Sequence, residues 1–107
     1  MFAATENKGF QITFGNGYTI SCQFGASNYC RNYGRHLQPD YRYLEEMNKR
    51  IHKCEDCEVA IWKNGGRNWV TGEILDAMES EVSHEDDVAY NVTPDDLAKI
   101  IAYVVAL

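Results

Sequence analysis

A chain of 107 residues in which 45% are hydrophobic is long enough for one domain with a modest core, spanning residues 1–107, and too apolar for a disordered protein. Its formal net charge of −6 excludes the usual basic binder of nucleic-acid backbones, so no direct DNA binding is expected. No signal peptide or run of apolar residues long enough to span a membrane is recognisable in the sequence. We therefore expect a soluble cytoplasmic protein without a membrane partner, whose four cysteines are thiols.

Residues 1–8 are predicted to be a polar lead-in to a hairpin that spans residues 9–24. Apolar and polar residues alternate along both arms, as is typical of half-buried strands. A three-residue loop at 15–17 places both apolar rows on one face, whereas a two-residue loop would separate them. It also puts Gly17 in the left-handed conformation that such a loop requires. The predicted pairs are Phe10 with Cys22 and Ile12 with Ile20.

Two helices are predicted further along the chain. Asp40 is the expected cap of a helix from Tyr41 to about Lys53, which has apolar residues at spacings of three and four. Thr93 as N-cap, with Pro94 at the first helical position, begins a second helix that runs to about Ala106. The second helix is apolar around much of its circumference, which indicates deep burial or pairing between subunits. We therefore expect a homodimer or a higher homo-oligomer.

A second hairpin is predicted between the helices, over residues 58–71, with glycines 65 and 66 as its turn. This turn pairs Trp62 with Trp69 on one face, and Ile61 with Val70 on the core face. The acidic segment that follows is a short helix or a loop, and alternation over residues 88–92 predicts a fifth strand.

The order of these elements, β-β-α-β-β-β-α, predicts an α+β domain. Its antiparallel sheet has about five strands and carries the two helices on one face.

The four cysteines are a possible zinc set, but the sequence favours free thiols without a metal or another cofactor. Cys54 and Cys57 form one CxxC pair, whereas seven residues separate Cys22 from Cys30, and Cys22 belongs to the core face. A redox CxxC normally opens a helix, while this one is predicted to follow a helix. Zinc ligation by the four cysteines stays the alternative.

Residues 28–36 form a basic and aromatic loop that is the best candidate for a binding surface. Tyr rings and Arg guanidinium groups stack on bases, Arg also pairs with phosphate, and Asn amides match base edges. The tryptophan pair, on the sheet face away from the helices, is a second candidate. The alternative for the loop is that its Tyr rings only cover the sheet, and the alternative for the tryptophan pair is that another segment of the chain covers it. The predicted ligand-binding residues are Asn28, Tyr29, Arg31, Asn32, Tyr33, Arg35, Trp62 and Trp69.

No catalytic motif stands out, so we expect a protein without enzymatic activity. A dyad of Cys30 with His36, or of Cys57 with His84, stays as the alternative, because such partners meet in space and not in sequence. The acidic run at 76–87 is either a solvated surface or one that occupies a basic groove of another protein.

A family resemblance is carried by TENKGF (residues 5–10), NGYTIS (16–21), QFG (23–25) and NYC (28–30), and more loosely by EVAIW (58–62) and the terminal helix. These residues resemble a family of small hypothetical proteins encoded by tailed phages and prophages. The resemblance implies a phage accessory protein that acts in the cytoplasm of an infected bacterium and counters host immunity. Its expected partner is a small nucleotide signal, which it sequesters. The alternative partner is a host defence protein, bound through the acidic run by an anti-CRISPR-like inhibitor or nucleic-acid mimic.

Overall fold

The computed structural model describes residues 1–6, 9–37 and 53–107, and it shows one antiparallel sheet with helices packed on it. The strands are β1 (Phe2–Thr5), β2 (Gly9–Thr13), β3 (Tyr18–Gln23), β4 (Cys57–Lys63), β5 (Asn68–Trp69), β6 (His84–Glu85) and β7 (Val88–Val92). The helices are a 3-10 turn (Arg35–Leu37), α1 (Thr71–Ala77) and α2 (Pro94–Val105). The strand order is β1-β2-β3-β4-β7-β6, with β5 paired to β4. The predicted antiparallel α+β class is confirmed, with seven strands in place of about five.

The predicted hairpin of β2 and β3 is confirmed in its register. Phe10 pairs with Cys22 and Ile12 with Ile20. The Phe14 N–H donates a hydrogen bond of 2.9 Å to the Tyr18 carbonyl, as the three-residue loop requires. Gly17 has a φ of 90°, and a Cβ there would lie 2.6 Å from the Asn64 side-chain oxygen. Both the backbone conformation and the available space therefore favour glycine at this position.

The prediction that residues 1–8 are only a lead-in is wrong, because Phe2–Thr5 form the edge strand β1. The main chain of Met1 exchanges two hydrogen bonds of 2.8 Å with Thr13. Hydrophobic periodicity does not reveal this strand, because its side chains cover no core and Phe2 is 81% exposed. Backbone pairing with β2 holds it in place.

The second hairpin is shorter than predicted. Trp62 pairs with Trp69, and the Val70 N–H donates to the Ile61 carbonyl at 2.8 Å, which confirms the register. The continuation of the strand to Thr71 is wrong, because α1 begins there. The fully buried Thr71 hydroxyl accepts a hydrogen bond from the Ile61 N–H at 2.9 Å. This side chain therefore replaces the backbone carbonyl that would accept from Ile61 if the hairpin continued.

The core lies between one face of the sheet and both α-helices. Its buried residues are Ile20, Cys22, Cys57, Val59, Ile61, Ile74, Leu75, Ala89, Val92, Ile100 and Val104. The start of α2 is as predicted, with the Thr93 hydroxyl accepting from the Asp96 N–H at 3.2 Å. The helix predicted from Tyr41 to about Lys53 lies outside the described residues, except for Lys53 itself. None of the described helices is long and apolar enough to cross a membrane.

Candidate functional site

The segment 25–37, here called the binding loop, is anchored to the chain around the start of β4 by two carboxylates. The Tyr29 N–H donates to Glu58 at 2.8 Å, and the Arg31 N–H donates to Asp56 at 2.7 Å. Hydrogen bonds to a carboxylate are stronger than those to a neutral acceptor, so these two contacts hold the backbone of the loop at Tyr29 and Arg31. The loop thereby lies against residues that are about 25 positions away in sequence.

Two of the predicted ligand-binding residues, Asn28 and Asn32, are buried and shape the loop itself. The Asn28 side-chain oxygen accepts from the Gly25 N–H at 2.9 Å. The Asn32 amide donates to the carbonyls of Phe24, at 2.7 Å, and Lys53, at 2.8 Å. Their amides are therefore used within the protein, and contact with a ligand stays a prediction for both.

A cavity of about 810 Å³, here called the basic cavity, opens on one side of the binding loop. Its charged lining residues are Arg31, Arg35, Lys53, Glu55 and Asp56. The thiols of Cys22, Cys54 and Cys57 also line it, as do the apolar residues Phe24, Val92, Pro94 and Leu97. The volume falls within the range of about 300–1,000 Å³ that is typical of small-molecule sites.

The three cations of the basic cavity differ in their pairing. Arg31 lies 2.9 Å from the Glu55 carboxylate and 3.8 Å from that of Asp56. Arg35 and Lys53 form no ion pair with any residue in the described part of the chain. Among the described lining residues, these two side chains therefore carry the positive charges that no carboxylate of the described chain pairs with.

A second cavity of about 610 Å³, here called the tyrosine cavity, lies on another side of the loop. It is lined by Tyr29, Cys30, Tyr33, Glu85, Asp86, Val88, Tyr90 and Asn91. The rings of Tyr29 and Tyr33 have their centroids 5.3 Å apart. Residues of the acidic run therefore lie beside Tyr29 and Tyr33. The predicted ligand-binding tyrosines line this cavity, whereas the predicted ligand-binding arginines line the basic cavity.

The tryptophans form a third, separate feature. Trp62 and Trp69 stack with ring centroids 5.9 Å apart, and Trp69 is exposed. Neither belongs to the described lining of the two cavities. Cys22, which lines the basic cavity, pairs with Val59, and Trp62 follows Val59 by three residues, about 10 Å along β4. Trp62 alternates with the core residues Val59 and Ile61, so its side chain lies on the sheet face opposite to theirs.

Lys53 and Tyr90 are not among the ligand-binding residues predicted from the sequence, although each lines one of the two cavities. For Lys53 a signal exists, because basic residues are concentrated between positions 31 and 53. For Tyr90 there is none, since alternation in β7 explains it as an ordinary strand residue.

The four cysteines are free thiols that divide into two groups. Cys22 and Cys57 share a side-chain hydrogen bond in the core, which lowers the pKa of Cys22 and raises that of Cys57. The ligand atoms of Cys30, Cys54 and Asp56 all lie within 4.8 Å of one another. Burial raises the pKa of Cys30 to about 12, so this thiol is protonated at neutral pH and is a poor nucleophile. Its use in a catalytic dyad would need another source of activation.

The chain matches no protein-family model, no curated protein and no solved structure.

Proposed function

We propose that this protein binds a small nucleotide without catalysis, and that it counters host immunity in an infected bacterium by sequestering a nucleotide signal. The observation that supports the proposal best is the basic cavity, where Arg35 and Lys53 have no acidic partner among the described residues. The described lining holds three cations against two carboxylates, in a chain whose net charge is −6. The host context rests on the resemblance to phage proteins.

The chemistry of the lining suits the two parts of a nucleotide. Arg35 offers a planar fork and Lys53 a compact charge, and both pair well with phosphate oxygens. Phe24 and Leu97 provide an apolar wall against which a base can lie. Because Arg31 already pairs with Glu55 and Asp56, those carboxylates repel a bound phosphate less than unpaired acids would.

Calorimetric titration with a panel of cyclic mono-, di- and oligonucleotides and ADP-ribose derivatives tests the proposal. We expect saturable binding of at least one class, weakened at least tenfold by Arg35→Glu, because a lost charge-assisted contact costs about 1.5–3 kcal/mol. Arg67→Glu is the matched control, since it reverses the same charge on an exposed residue outside the described lining of the cavity. Binding of no member of the panel, or equal weakening by both substitutions, would contradict the proposal.

A second candidate function is inhibition of a host defence protein through the acidic run, and the tyrosine cavity favours it. Three tyrosine rings lie beside Glu85 and Asp86 in this cavity. A Lys or Arg side chain of a partner protein could contact the ring faces and pair with the carboxylates. We expect salt-sensitive capture of a defence protein that is abolished by the pair Glu85→Lys and Asp86→Lys. The pair Glu6→Lys and Glu73→Lys, on exposed residues outside the acidic run and outside the described cavity lining, is the control and should leave capture intact.

Self-association stays part of the proposal. Ile100 and Val104 of α2 are buried in the protein's own core, whereas Val105 and Leu107 at its end remain exposed. Light scattering at micromolar concentration decides between a monomer and the homodimer or higher homo-oligomer that the sequence predicts.

A further inference from the structure

Cys30, Cys54 and Asp56 form a cluster that has the composition of a metal site. Cys30 belongs to the binding loop, while Cys54 and Asp56 belong to the segment that precedes β4. Their ligand atoms lie within 4.8 Å of one another. The fold brings them together through the hydrogen bond from the Arg31 N–H to Asp56. The spacing of the cysteines in sequence does not reveal this grouping.

The distances are close to those that one zinc ion needs. Zinc lies about 2.0–2.3 Å from thiolate and carboxylate ligands, so two ligand atoms at the tetrahedral angle are about 3.3–3.8 Å apart. The Cys54 sulfur already lies 3.5 Å from an Asp56 oxygen, and a spread of at most 4.8 Å requires the other ligand atoms to approach by about 1 Å or less. We propose that Cys30, Cys54 and Asp56 bind one Zn²⁺ ion, which links the binding loop to the start of β4.

The surroundings of Asp56 hold its carboxylate in place, as outer-shell groups do in zinc sites. Asp56 is buried, and its second oxygen accepts from the Asn91 amide at 3.0 Å. The first oxygen accepts from the Arg31 N–H at 2.7 Å and from the Cys54 thiol at 3.5 Å. The thiol of Cys30 donates to the Gly25 carbonyl at 3.6 Å. A metal would take the place of both thiol protons, which pass to solvent.

A bound ion would neutralise most of the charge that its ligands carry. Two thiolates and one carboxylate carry three negative charges, of which Zn²⁺ neutralises two, and the guanidinium of Arg31 lies 3.8 Å from Asp56 while also pairing with Glu55 at 2.9 Å. An uncompensated buried charge is costly, so the ion and the nearby guanidinium favour the charged form of the ligands. Cys54 is half-buried and lines the basic cavity, which provides a route for the ion.

The proposed site differs from a set of four cysteines. Cys22 and Cys57 are both buried in the hydrophobic core and do not belong to the group of close ligand atoms. Three protein ligands leave one position of the zinc tetrahedron for water or an anion, as in zinc sites with an open position. Zinc binding would not depend on the proposed nucleotide binding, because it involves only Cys30, Cys54 and Asp56.

Cobalt titration of the reduced protein, previously stripped with a chelator, tests the site directly. We expect a thiolate-to-cobalt charge-transfer band that saturates at one ion per chain and disappears when Zn²⁺ is added. Cys54→Ala should abolish the band. Cys22→Ala, which removes a thiol outside the group, is the matched control and should keep it. Absence of the band, or equal loss in both variants, would overturn the proposal.

A second measurement separates zinc binding from general damage to the fold. Zn²⁺ should raise the Tm of the wild-type protein and leave that of Cys54→Ala unchanged, while Mg²⁺, which prefers oxygen ligands, should raise neither. Circular dichroism confirms that the variant is folded, which is expected because Cys54 is only half-buried. A Zn²⁺-induced rise of equal size in both proteins would overturn the assignment.

Discussion

Replacement of Asp56 by alanine should destabilise the domain far more than replacement of its neighbour Glu55. Both carboxylates contact Arg31, but their surroundings differ. Asp56 is 8% exposed and accepts from the Arg31 N–H at 2.7 Å and from Asn91 at 3.0 Å. Glu55 is 77% exposed and meets only the Arg31 guanidinium, at 2.9 Å. The two substitutions therefore compare a buried anchor of the binding loop with a surface ion pair.

The magnitude follows from the number and kind of contacts that are lost. Each hydrogen bond to a charged group contributes about 1.5–3 kcal/mol, and water restores part of this for the partly exposed donors, so Asp56→Ala should cost about 2–4 kcal/mol. A surface ion pair contributes about 0–1 kcal/mol. At about 4 °C per kcal/mol for a domain of this size, the Tm should fall by about 8–16 °C for Asp56→Ala and by less than about 4 °C for Glu55→Ala.

Thermal unfolding followed by circular dichroism, with a chelator and a reducing agent present, measures both values without a contribution from metal. Asp56→Asn serves as a further control, because its carbonyl still accepts from the Arg31 N–H, and its Tm should lie between those of Asp56→Ala and the wild type. Equal losses for Asp56→Ala and Glu55→Ala would refute the view that Asp56 anchors the loop.

Three further outcomes are expected. Thr71→Val should cost about 1–3 kcal/mol in urea unfolding, because it leaves the Ile61 N–H unpaired, whereas Thr71→Ser should cost less; equal costs would argue against the hydrogen bond. A double-mutant cycle on Trp62 and Trp69 should give a coupling of about 0.5–1.5 kcal/mol, and no coupling would mean that the stack is unimportant for stability. Under native, metal-free conditions a thiol reagent should modify Cys54 first, because the other three thiols are buried; faster reaction of any of those would contradict the structure.

The parts of the fold that sequence predicts well are those with strong local signals. The hairpin of β2 and β3 follows from alternation and from Gly17, and α2 follows from the cap at Thr93. The strand β1 lacks such a signal, because it pairs at the sheet edge without covering the core. The end of the second hairpin depends on where the Thr71 hydroxyl bonds, which propensity does not encode.

The candidate site is predictable only in outline. Its basic and aromatic composition identifies the binding loop, but the separation of Arg35 from Tyr29 and Tyr33 depends on how the loop is anchored at Asp56. That anchor joins residues far apart in sequence, as does the grouping of Cys30 with Cys54. Such long-range contacts arise from the folded sheet and leave no periodic pattern in the chain.

The central claim is that the basic cavity holds a small phosphorylated ligand, and native mass spectrometry of the protein from phage-infected cells tests it most directly. The wild-type chain should carry the added mass of a nucleotide, and Arg35→Glu, expressed in the same cells, should lack it. A wild-type chain without that mass, or the same added mass on both proteins, would contradict the claim.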